Sequence, residues 1–208
     1  SISRTKTRIE WMLRNPLKWP ISCKAGTAVI VVYVLFTFTS LALFPSPYTP
    51  VKNWLSDLGN STLNPKGAVL YNTGCIITGL ALFPFFAGMY KWYTDERWRK
   101  LSMVLTQILG LFSAFALIMI GIFSEDYLTQ HVFWTVVFFI SNLAVLILVN
   151  LSLMTHPRFM RPIGYYGIAV LVVNLILVFI SFAPLLEWLT VFTALGYVGL
   201  LTYNMFKL

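Results

Sequence analysis

Six stretches of about 20 predominantly apolar residues, separated by short segments that hold nearly all the charge, leave this chain very few folds. They fall at residues 25–44, 67–90, 101–123, 131–154, 163–183 and 188–206. At 1.5 Å of rise per residue, about 20 residues cross a hydrocarbon core of about 30 Å. A barrel strand would instead alternate apolar and polar positions over about 10 residues, and no such alternation occurs. The expected fold is therefore all-α: a polytopic integral membrane protein with six transmembrane helices. Composition agrees, since only 11% of the residues are charged, against about 25% in a soluble domain. The net charge of +8 does not point to nucleic acid, because its basic residues sit in short blocks between apolar runs.

Those blocks give orientation, since segments rich in Lys and Arg stay on the cytoplasmic side. Residues 1–24 carry Arg4, Lys6, Arg8, Arg14, Lys18 and Lys24. Lys91, Arg97, Arg99 and Lys100 lie between the second and third spans, Arg158 and Arg161 between the fourth and fifth, and Lys207 after the sixth. Only Lys52 and Lys66 fall on the other side, together with Asp57, Glu125, Asp126 and Glu187. Both termini are expected in the cytoplasm, in a multi-pass protein of the cell membrane. Tryptophans 11, 19, 92 and 98 at one edge and 54, 134 and 188 at the other fit two headgroup belts. Two divisions follow: a basic segment at 1–24 and a transmembrane domain at 25–208. Ile9, Met12, Leu13 and Leu17 share one face before Pro20, so residues 1–24 read either as an interfacial amphipathic helix or as a solvated tail that sets topology. The first apolar run exceeds the roughly 7–15 residues of a cleavable signal, so it is expected to be retained. Cys23 and Cys75 fall at different depths and are expected unpaired.

The chemistry-bearing residues gather on the outer side in two patches. One is the first loop, Asn53 to Pro65, continuing into Tyr71-Asn72-Thr73-Gly74; the other is Gly121-Ile122-Phe123-Ser124-Glu125-Asp126 with His131. The run Leu55-Ser56-Asp57-Leu58-Gly59, the pair Asn64-Pro65, Tyr71 to Gly74, and Gly121-Ile122-Phe123 followed by His131 resemble the six-span family catalogued as domain of unknown function 998. That family is found largely in archaea and bacteria and is itself distantly similar to the Frag1/DRAM/Sfk1 group of multi-span proteins. The resemblance runs from about the first helix to the last. It implies a six-helix membrane fold and no assigned reaction.

Residue by residue, two readings compete. Asn64 before Pro65 suits a helix start, with Asn as N-cap and Pro at the first helical position. Gly59 suits a turn with positive φ. Asp57 reads as a cap for a short loop helix, or as a ligand for a cation or lipid amine. Asn72, inside the second span, is expected to bond a neighbouring helix or contact a ligand. His131 reads as an interfacial anchor, or, near Glu125 and Asp126, as a proton-handling group. Asp57, Asn60, Asn72, Glu125, Asp126 and His131 form the candidate outer ligand-binding cluster. Asn60-Ser61-Thr62 also matches a glycosylation acceptor. Deeper in the membrane, Gln107, Asn142 and Asn174 read as polar contacts between helices, with Gln107 and Asn142 placed to bond each other. Gly110 and Ala114 read as a close helix contact, and Pro84 as a kink.

The inventory also excludes. The two histidines, His131 and His156, fall on opposite sides of the membrane, so no zinc or bis-histidine haem site is expected and no cofactor is implied. No phosphate loop, nucleophile elbow or Cys-x-x-Cys pair occurs. Membrane lipids are the expected partners, with other membrane subunits or a second copy as further ones. The leading expectation is an accessory or structural subunit of a membrane complex. The alternatives are an outer-leaflet protein that binds or transports a lipid or small ligand, and an outer-face enzyme pairing Asp57 or Glu125 with His131.

Overall fold

A computed structural model describes residue 10 and residues 15–208; the segment 1–24, read as either an interfacial helix or a solvated tail, lies largely outside them. The described chain is all-helical, and six of its helices are long and apolar enough to cross a membrane. They are α1 (Ile21–Ala42), α2 (Ala68–Ala87), α3 (Arg97–Ile122), α4 (Leu128–Leu153), α5 (Arg161–Phe179) and α6 (Pro184–Phe206). Short 3-10 helices lie at Pro16–Lys18, Leu55–Gly59, Gly88–Trp92 and Glu125–Tyr127.

The helix bounds differ from the apolar runs for local reasons. Pro162 lies in the first turn of α5 and Pro184 opens α6, where a missing N–H costs nothing. The helices start in the polar flanks: α1 takes in Cys23 and Lys24, α4 takes in Leu128, Thr129 and Gln130, and α6 takes in Glu187. Pro84 offers no N–H to the carbonyl one turn earlier. α2 continues only to Ala87 before tightening into the 3-10 turn Gly88–Trp92.

Each helix packs beside the next in sequence, and α6 closes back on α1, so the six form a ring. The inward faces hold Val29, Leu82, Phe85, Leu146, Val149 and Leu201. Val31, Leu35, Ile108, Phe112, Phe133 and Ile140 are exposed on the outside, an apolar belt suited to lipid. Helices in lipid gain little from hydrophobic burial against one another, so close contact depends on small residues. At Gly110 the ring of Phe86 occupies the space a side chain would need, 2.3 Å from where a Cβ would stand, and Ala114 is fully buried beside Gly79.

The two ends of the ring differ in charge. At the basic end the Trp92 indole sits edge-on to His156 at 5.2 Å and to Phe159 at 5.8 Å. There Asn204 of α6 accepts the Met160 N–H at 2.9 Å and donates to the Arg158 carbonyl at 3.3 Å. Trp92 is thus a core residue rather than a wet anchor, because the α4–α5 loop folds over it. Trp188, expected at a headgroup belt, is likewise buried and stacks on Phe192 at 5.3 Å. Both cysteines are free and buried.

Candidate functional site: an acid-capped cavity inside the ring

The first loop folds over the other end of the ring, held by hydrogen bonds that meet no cation. Asp57 closes its own turn: its carboxylate accepts the Trp54 N–H at 3.0 Å and the Asn53 side-chain amide at 3.5 Å. Burial, and then the neighbouring Glu125, push the Asp57 carboxyl up from its ordinary range. Asp57 therefore performs the capping role anticipated for it and does not line the cavity described below. Gly59 shows no positive φ, since no glycine among the described residues does. Its smallness is needed instead for close approach: a Cβ there would stand 2.3 Å from Asn72 Oδ1.

Asn64 caps as its sequence context suggests, but one turn before the helix proper. Its Oδ1 accepts the Gly67 N–H at 3.1 Å, and α2 starts at Ala68. Its Nδ2 donates to Leu58 O at 3.0 Å and Ser40 Oγ at 2.9 Å, so this fully buried amide ties the loop to α1. Asn72 bonds this loop rather than a neighbouring helix, donating to Gly59 O at 3.0 Å, because the loop lies directly over it.

The two patches seen in the sequence meet here. Glu125 accepts from Ser56 Oγ and from Asn60 Nδ2, each at 3.2 Å. Asp126 accepts from the Ser61 backbone at 3.0 Å and from Ser124 Oγ at 2.9 Å. Asn60 Oδ1 accepts the N–H groups of Thr62 and Leu63, so both ends of the candidate glycosylation amide are engaged. His131 stands apart from the acids: its Nδ1 faces the Phe123 carbonyl at 2.9 Å. A carbonyl only accepts, so Nδ1 carries the proton, and in the neutral ring Nε2 is a free acceptor. Neither Asp57 nor Glu125 bonds the imidazole, so the acid–base pairs considered from sequence do not form.

The residue that sequence reading passed over is Glu187. It appeared there only as one of four outer-side acids, yet in the fold it is buried, and its carboxylate accepts the Leu55 N–H at 2.7 Å. The signal was its position, three residues after Pro184. A helix opening at that proline turns Glu187 inward toward the first loop.

Between the helices lies a cavity of about 120 Å³, where a single water needs roughly 10–15 Å³. Glu187, His131, Ser56, Tyr33 and Tyr71 line its acidic end, while Met89, Val149 and Leu201 line it toward the basic end. The hydroxyls of Thr78, Thr135 and Thr190 also face this space, are buried, and have no hydrogen-bond partner. Asn142 lines the same wall and makes no hydrogen bond with Gln107. Gln107 instead takes the freed carbonyls of Phe86 and Ala87 at 3.1 and 2.9 Å and bonds the Tyr93 hydroxyl. The turn that follows Pro84 leaves those carbonyls open. Asn174 of α5 is fully buried with both side-chain polar atoms unpartnered, so it is not the inter-helix contact expected of it. Nothing in the structure explains that orphaned amide. Among the described residues, no three His, Cys, Asp or Glu side chains come together in a way that could hold a metal ion.

A six-helix, membrane-type ring around an acid-capped cavity is the class of protein this geometry defines. A family model described as protein of unknown function DUF998 matches residues 27–204, and the chain belongs to that family. No curated protein and no solved structure matches it.

Proposed function

We propose that this chain is a membrane-embedded binding protein for a lipid or lipid-like ligand, with the interhelical cavity as its site. In this reading the basic end and both termini lie in the cytoplasm, and the acidic end receives the ligand from outside. The supporting observation is the set of buried, unpartnered hydroxyls of Thr78, Thr135 and Thr190 facing one cavity. A hydroxyl desolvated without a partner costs roughly 1–3 kcal/mol, a cost a structural bundle could avoid with Val or Ala. This favours a binding protein over an accessory subunit, which needs no hollow centre.

The test is native mass spectrometry of the chain extracted in mild detergent. The proposal expects a retained small amphiphile, lost in Ala194→Phe, whose ring would grow into the cavity wall. Recovery with a stoichiometric protein partner and no small molecule, or an Ala194→Phe variant with unchanged adducts, would overturn it in favour of the accessory-subunit reading.

A further inference from the structure

We infer that the ligand is a single-chain amphiphile whose head donates hydrogen bonds and carries no negative charge, a long-chain amine or alcohol. It lies with its head at Glu187 and its chain running toward Leu201. The inference rests on reading the cavity as a binding site and adds the chemistry of what enters it.

The head follows from the groups at the acidic end. Glu187 offers a buried carboxyl group held by the backbone N–H groups of Leu55 and Ser56 and by no cation. In the neutral imidazole His131 Nε2 is an acceptor, because Nδ1 is committed to the Phe123 carbonyl. The Tyr33 and Tyr71 hydroxyls share one contact at 3.3 Å, which uses one of their two protons. Thr190, fully buried, presents an unpartnered hydroxyl just one turn of α6 below Glu187. The hydroxyls can donate or accept, whereas the Glu187 carboxyl and the imidazole offer acceptor atoms, so a head that donates finds partners here.

An anionic head fits badly. No Lys or Arg lines the cavity, and the one ion pair among the described residues is Glu96–Arg99 at the opposite end. Lys52 and Lys66, the cations of the acidic end, are exposed. A phosphate or carboxylate at this site would be desolvated with no cation to pair with, and an unpaired buried charge is costly. An ammonium gains a charge-assisted bond there, and a hydroxyl gains an ordinary one.

The tail follows from shape. Glu187 and Leu201 are about 21 Å apart along α6 at helical rise, more than half of a hydrocarbon core. Beyond the threonines the walls are Leu82, Phe86, Val145, Leu146, Val149 and Val198. That length and those apolar walls match one extended hydrocarbon chain.

The experiment uses the full chain in detergent micelles with hexadecylamine, hexadecanol, palmitate and a two-chain phosphatidylcholine, read by native mass spectrometry. Amine and alcohol are expected to bind about tenfold more tightly than palmitate, whose carboxylate finds no cation in the cavity wall. Phosphatidylcholine should fail to compete. Glu187→Gln keeps an acceptor for the Leu55 N–H and is expected to weaken the amine about tenfold while changing the alcohol by about threefold or less. Palmitate bound as tightly as the amine and alcohol in the wild type, a measurement needing no variant, would overturn the inference. So would an amine preference untouched by Glu187→Gln. If Ala194→Phe still abolishes binding in either case, the cavity remains the site and only the ligand class falls; if Ala194→Phe changes nothing, the proposed function falls with it.

Discussion

Asn64 shows how much one buried amide can carry. It satisfies the Gly67 N–H and donates to Ser40 and Leu58, joining loop, α1 and α2 at a fully buried position. Asn64→Ala orphans several of these groups and is expected to destabilise the fold by about 3 kcal/mol, measured by reversible unfolding in mixed micelles. Its capping was legible from Asn64-Pro65, but its donor contacts depend on where α1 lies, which local sequence does not encode. His156 makes a pH prediction. Burial, followed by the charges of Arg99 and Arg158, holds its imidazole below the ordinary 6.5. A depressed basic group contributes stability that is present above its unfolded value and lost as pH falls through the folded one. The melting temperature should therefore drop as pH falls below about 6.5, and His156→Gln should flatten that decline. An equal slope in both proteins would remove His156 as its source.

At the scale of elements, the 3-10 helix Leu55–Gly59 is held from three sides: by Glu187 of α6, by Glu125 next to α4, and by Asn72 of α2. Glu187→Ala leaves the Leu55 N–H without its acceptor. Faster amide exchange is expected across residues 54–59 with α3 unchanged, read by hydrogen–deuterium exchange. Uniform acceleration throughout the bundle would instead mean that Glu187 supports the whole fold. The apolar runs predicted all six helices, because lipid demands about 20 apolar residues from any spanning helix. They misplaced the ends, because a helix continues beyond the hydrocarbon wherever Pro or a polar flank permits. That is why Glu187 reads as a surface group in the sequence and is a cavity wall in the fold.

For the whole molecule, the ring places every described Lys and Arg except Lys52 and Lys66 at one end and the acid-rich loops at the other. Single-cysteine variants on a background lacking Cys23 and Cys75 test the proposed orientation. Cysteine at Glu125 should label only from outside intact cells and cysteine at Arg97 only from the cytoplasm, whereas labelling from one compartment would contradict it. The two loop patches were legible as neighbours because six spans return both to one side. Their separation into a hydrogen-bonded loop lattice and a cavity lining was not, because period and composition do not fix helix rotation. The central claim is that the hollow inside the ring holds the ligand. It is tested most directly by photocrosslinking a diazirine-bearing long-chain alcohol to the full protein and mapping the modified residues. The account predicts modification of cavity-facing Leu82, Val145 and Val191; label confined to the outward, exposed Phe133, Ile140 and Leu189 would contradict it.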